Sequence, residues 1–240
     1  MDPERFRQSS RMTRREVEIE RRTRLLAENF EGYLCAFDRD PAFRKSGQCE
    51  NHIATIGLRR EIGGAVSAAH DAPFLRSLYE TLGTWGIGQR GSTLVDFDRF
   101  ADAIGNCESS LRVLEDIRLE ETTPDVERAS DMVWELITSL EIVENQAKLV
   151  PCTKALHHLL PDLIVPMDRA FTRRFFAWHV PEFQYQQEKV FRHAFRHFVK
   201  IARDVRPSQF AGSGWRTSAT KILDNALVGF CRVENILVPS

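Results

Sequence analysis

The residues with the most chemical potential in this chain fall between Lys148 and Arg169. They run Lys148-Leu149-Val150-Pro151-Cys152-Thr153-Lys154-Ala155-Leu156, then Leu159-Leu160-Pro161, then Ile164-Val165-Pro166-Met167-Asp168-Arg169. Apolar spacing predicts a short helix over 153–160 with Lys154 near its start, and a second helix over 169–178 opening at Asp168, fourteen positions after the lysine. An amine is a nucleophile only when neutral, and partial burial together with a nearby cation such as Lys148 would lower its pKa toward that state. A carboxylate brought beside it would face developing positive charge and accept a proton. The pair therefore suits cleavage of a bond to an anomeric carbon, where the transition state is a sugar cation. Each residue also has a plainer role, since aspartate ahead of a helix is a good N-cap and a first-turn lysine is commonly a solvated charge. Lys148 and Lys221 stand as alternative amines.

Helix patterns dominate the elements that must position this pair. Apolar spacing predicts helices from about Arg15 toward Phe37, over 52–69, 72–82, 97–104 and 110–119, and from Pro124 to Val143 with Thr123 as N-cap. After the Lys/Asp segment, one amphipathic helix is expected from Pro181 to about Val205 and a last one over 218–231. Residues 1–14 carry Arg5, Arg7, Arg11 and Arg14 with no apolar face and read as a basic arm. The expected architecture is all-α: about ten helices in a single two-lobed domain, residues 15–240, around a cleft.

Composition excludes several classes. With 42% apolar and 28% charged residues over 240 positions, the chain has enough apolar side chains for a substantial core and no run long enough to span a bilayer. No secretory leader pattern is present, so a monomer in the cytoplasm is expected. The five cysteines are scattered, which argues against a disulfide framework or a cysteine metal site. His193 and His197 have helical i, i+4 spacing but no further ligand nearby, so no metal and no cofactor are expected. Charge is segregated: residues 96–144 hold fourteen acidic and four basic side chains, whereas 148–221 hold thirteen basic and five acidic. Such a segment either forms a face for phosphate or is neutralised by the acidic one across an interface.

The order Thr153-Lys154-Ala155-Leu156, then Val165-Pro166-Met167-Asp168, resembles the helix-hairpin-helix DNA glycosylase superfamily, and most closely the local motif of the 8-oxoguanine glycosylases. It is similar in particular to a bacterial branch in which a Trp-Gly segment precedes the Lys and Asp motif. The resemblance spans about 25 residues. It implies that a hairpin leads into the lysine helix, that Lys154 is the Schiff-base nucleophile and that Asp168 is the catalytic carboxylate. The activity implied is removal of a damaged or modified base from double-stranded DNA, with or without a lyase step. An oxidised purine would mean repair, and a hypermodified phage cytosine would mean antiviral defence. Val150-Pro151-Cys152 stands where the superfamily carries glycines whose N–H groups meet phosphate.

A glycosylase holds the extruded base between flat side chains. Two segments fit that need: Gly83-Thr84-Trp85-Gly86-Ile87-Gly88-Gln89-Arg90-Gly91, offering Trp85, Gln89 and Arg90, and Gly212-Ser213-Gly214-Trp215-Arg216-Thr217-Ser218, offering Trp215. His157 lies one helical turn from Lys154 and would either face the base or sit satisfied in the core; the two tryptophans are likewise either pocket walls or core residues. Lys148, Thr153, Arg169, Arg173, Arg216 and Lys221 are the expected DNA contacts. The competing expectation is a helical DNA- or RNA-binding protein on the same scaffold that does no chemistry.

Overall fold

The computed structural model describes residues 13–43, 45–88, 91–121 and 125–236. Thirteen α-helices and a 3-10 turn (Pro207–Phe210) form among them and no strand does; an isolated bridge joins Leu94 to Val143. The all-α expectation holds, and there are more helices than ten because several of the expected long ones break. Residues 1–12 of the expected basic arm lie outside the described residues, while Thr13 and Glu16 form a capping box that starts α1 (Arg14–Glu28).

The expected helix through Phe37 breaks at Asn29, whose φ of −127° is not helical, and α2 (Phe30–Arg39) follows. The one expected over 52–69 ends where Gly63 adopts φ 87°, separating α3 (Gln48–Ile62) from α4 (Ala65–Ala68). Next come α5 (Ala72–Thr84), capped by Asp71, then α6 (Phe97–Gly105) and α7 (Glu108–Leu114), the last shorter than expected. Asp125, rather than Thr123, caps α8 (Val126–Ser139), its side chain accepting from the Arg128 N–H; Thr123 and Pro124 lie outside the described residues.

Two corrections bear on the site. Helix α9 (Leu149–Leu159) begins four residues before Thr153, so Val150-Pro151-Cys152 is helix and not hairpin. Pro151 sits in its first turn, where the missing N–H has no intrahelical partner to lose. Helix α10 (Phe171–Phe175) stops short of Trp178, at Ala177 with φ 50°. The long amphipathic helix is likewise two, α11 (Val180–Tyr185) and α12 (Gln187–Val205), and Ser218 caps the last, α13 (Ala219–Val233).

Every residue of α13 from Ala219 to Cys231 is buried, as befits a helix that is mainly apolar on all sides. It is packed by α2, α10, α12 and α1, most closely by α2. There a Cβ on Gly229 would stand 2.0 Å from the Tyr33 carbonyl oxygen. Helices α3, α5 and α9 pack together in front of its N-terminal end, while α8 lies on α12. The acidic and basic segments meet at that last contact, where Glu127 takes Arg196 at 2.5 Å and Asp131 takes Arg192. Two arginines of the basic segment are thereby neutralised. Among the described residues, no helix is long and apolar enough to cross a membrane.

Candidate active site

Lys154 lies in the second turn of α9, on the side that meets the end of α5. Its ammonium donates to the Trp85 carbonyl oxygen at 3.3 Å and stands 5.5 Å from the Trp85 ring centroid. Burial lowers its pKa, with help from the charge of Lys221, while Asp168 and Asp224 pull the other way. The net direction is down, toward the neutral amine that nucleophilic attack requires.

The Asp168 segment is tied directly to the lysine helix by Thr153. The buried Thr153 hydroxyl donates to Leu149 O at 2.8 Å, and its oxygen accepts the Met167 N–H at 3.2 Å. Thr153 is therefore a clamp between two backbones and cannot serve as a DNA contact, correcting the expectation. Beyond it, Asp168 Oδ1 accepts the Phe171 N–H at 2.5 Å and the Asp168 N–H donates to Thr172 Oγ1 at 2.9 Å. Asp168 is thus not the N-cap expected of it, since α10 starts at Phe171 with Ala170 as its N-cap; one carboxylate oxygen closes the turn that leads into α10 while the half-buried group still lines a cavity.

That cavity, ≈ 40 Å³, is walled by Phe43, Gln48, Trp85, Lys154, Pro166, Asp168, Lys221 and Asp224. Phe43, Trp85, Lys154 and Asp168 also line an open cleft of ≈ 640 Å³, whose rim includes Arg169, Arg173 and Arg174. The small cavity is therefore the inner end of the cleft. Arg169 is exposed, whereas Arg173 is buried, with Nε on the Arg169 carbonyl and Nη1 on the Trp178 carbonyl, so it adds charge to the wall from a held position.

Lys221 is 1% exposed, and its ammonium lies on Asp224 Oδ2 at 2.6 Å and Asn225 Oδ1 at 2.8 Å. It is ringed by Phe43 and Trp215, both centred 4.9 Å away, and by Trp85 at 5.7 Å. This is a second lysine–aspartate pair in the same cavity and not an exposed DNA contact. Its i, i+3 spacing was visible in the sequence; Phe43, from a short non-helical segment, carried no such signal.

Behind Lys154 lies a run of buried histidines. A carbonyl can only accept, so His158 Nδ1 must donate to Lys154 O (2.8 Å), leaving His158 Nε2 to accept from His52 Nδ1 (3.0 Å) and His52 Nε2 to accept from Thr217 Oγ1 (2.7 Å). Burial holds all three histidines below the ordinary range, His158 at about 4 and His52 and His157 in the same direction. His157 bonds Ile164 O and Thr220 Oγ1 at 3.0 Å and belongs to the core, not to the cavity wall.

Three more expected contacts are placed elsewhere. Lys148 donates to Thr138 O and lines a separate surface groove of ≈ 980 Å³. Arg216 is paired with Asp38. Trp215 is buried, its ring stacked on His52 at 5.5 Å, so it backs the cavity instead of lining it. Gln89 and Arg90 lie outside the described residues. The five cysteines are free, and His193 and His197 pack on Phe176 and on each other. No protein-family model, no curated protein and no solved structure matches the chain.

Proposed function

We propose that this protein is a DNA glycosylase that cleaves the N-glycosidic bond of a damaged or modified base, with Lys154 as nucleophile and Asp168 as the carboxylate at the reacting centre. The observation that carries this reading is that both side chains open to one arginine-rimmed cleft, which ends in an aromatic-walled cavity. Either residue turned away from the cleft would have left only a binding function. We read the helices on either side as the two lobes of a glycosylase-like arrangement, working as a monomer in the cytoplasm on double-stranded DNA with one base extruded.

In this reading the base enters between Phe43 and Trp85, while Arg169 and the charge of Arg173 and Arg174 hold backbone phosphate. The neutral Lys154 amine forms a bond to C1′ as the C1′–N bond breaks. The base departs with the bonding pair and takes up a proton; Asp168 faces the sugar cation and accepts the proton that the attacking amine loses. The resulting covalent sugar can open to a Schiff base, from which water restores the enzyme or strand scission follows.

The test is a digest of cellular and phage DNAs with the purified protein, followed by identification of released bases by mass spectrometry and an assay for abasic sites. A single released base with matching abasic sites supports the reading. Retention of every base across the panel, with tight DNA binding, would instead establish the helical binding protein without chemistry.

A further inference from the structure

The inner cavity contains more charge than bond cleavage needs. Lys154 and Asp168 suffice for the reaction, yet Lys221 and Asp224 are also brought to the cavity wall. A buried ion pair is a weak source of stability, because desolvation offsets most of the attraction and apolar replacements of similar volume are often no worse. This one is also held in a fixed orientation. Asn225 Nδ2 donates to Trp215 O at 2.9 Å, which fixes its Oδ1 toward Lys221, and the ammonium is then divided between Asn225 and Asp224. Two of its three protons are engaged there and one remains; the carboxylate keeps lone pairs of its own. A donor and an acceptor thus stand side by side, Nζ and Oδ2 2.6 Å apart, at the inner end of an aromatic slot.

The dimensions say what part of a ligand reaches them. A water needs about 10–15 Å³ of such space, so ≈ 40 Å³ admits the leading edge of a flat ring and not the whole of it. The remainder of the ring stays in the cleft against Phe43 and Trp85. Every unmodified base presents an adjacent donor and acceptor on its Watson–Crick edge, either ring N–H beside C=O or ring N beside NH₂, and each is complementary to a neighbouring carboxylate and ammonium. We propose that the Lys221–Asp224 pair reads that edge, so that this site accepts bases whose Watson–Crick edge is intact and whose modification lies elsewhere on the ring, and rejects bases alkylated on the edge itself. The inference rests on the glycosylase reading. It admits both an oxidised purine altered at C8 and a cytosine altered at C5, and excludes N-alkyl lesions of the pairing edge.

The test uses labelled duplexes carrying one 2′-fluoroarabino nucleotide, which resists cleavage, with uracil or N3-methyluracil, and with hypoxanthine or 1-methylhypoxanthine. Fluorescence anisotropy of wild type and Asp224→Asn is read on each pair. The methyl group removes the donor, and wild type is expected to bind the unmethylated partner at least about 30-fold more tightly, as for a lost hydrogen bond to a charged group. A small cavity would also reject a methyl group by size, and Asp224→Asn separates the two causes. Its amide must turn oxygen to the Lys221 ammonium, leaving NH₂ to meet the ring N–H, donor against donor. It should still fold, melting below wild type because the buried Lys221 charge loses its counter-charge, and bind uracil no better than N3-methyluracil. A duplex preference undiminished in Asp224→Asn overturns the proposal, and so does a wild-type preference below about threefold on duplexes and free bases alike. Calorimetry with 1-methyluracil against 1,3-dimethyluracil removes DNA from the question. Discrimination there, with none on duplexes, keeps the edge reading and overturns the DNA reading; discrimination in neither overturns the edge reading.

Discussion

Under the proposed reaction Asp168 would combine two roles that one substitution separates. Its Oδ1 caps the turn at Phe171, and asparagine caps about as well, so Asp168→Asn should keep the melting temperature within a few degrees. The negative charge facing the sugar cation is lost, so base release should fall by at least about 100-fold with DNA affinity little changed. Near-wild-type turnover in that variant would reduce Asp168 to a residue that closes the turn before α10. Lys154 and Asp168 were legible in the sequence because their partnership is local: one helix, one loop and fourteen positions. Phe43, Lys221 and Asp224 arrive at the same cavity from opposite ends of the chain, and nothing in local spacing announces such a meeting. His157 was equally ambiguous in sequence, since a histidine one turn from the lysine can face cleft or core; its bonds to Ile164 and Thr220 place it in the core.

At the level of elements, the decisive fact is that α9 starts at Leu149 and carries Lys154 in its second turn, with Thr153 joining it to the Asp168 segment. Thr153→Val deletes that hydroxyl in a buried site and should cost about 1–3 kcal/mol in chemical denaturation, while Thr153→Ser retains most of the stability and the activity. If valine were tolerated on both counts, the clamp would have no role in holding the pair together. The contact of α2 with α13 is tighter still: Gly229→Ala would drive a Cβ into the Tyr33 carbonyl, forcing the two helices apart at a cost of roughly 1–3 kcal/mol or more. A melting temperature unchanged by this substitution would contradict the packing described. Helix identity was readable from apolar periodicity, and helix ends were not. Breaks at Asn29, Gly63 and Gln186 interrupt patterns that continue on either side, because tertiary packing re-aims segments whose local preference is simply helical.

Over the whole molecule, charge and buried histidines set the conditions under which the site can work. With α12 arginines paired to α8 carboxylates, Arg169, Arg173 and Arg174 gather basic charge at the cleft rim, a distribution that total charge conceals. The buried histidines bind protons less readily folded than unfolded. Below an unfolded pKa of about 6.5 the unfolded chain therefore gains protons first, and stability falls as pH drops until the folded pKa is reached. His158 and His197, both held at about 4, place that loss between pH 6.5 and 4, with about 3 kcal/mol from His158 alone. Urea titrations at pH 7 and pH 5 should show it, and equal midpoints would contradict neutral burial. Attack of Lys154 on a sugar in DNA is checked by borohydride trapping on the DNA from which a base is released, with the modified residue located by peptide mass spectrometry. A covalent adduct on Lys154 that disappears in folded Lys154→Ala is the expected result. An adduct on Lys221 or Lys148, or one undiminished in Lys154→Ala, would contradict it.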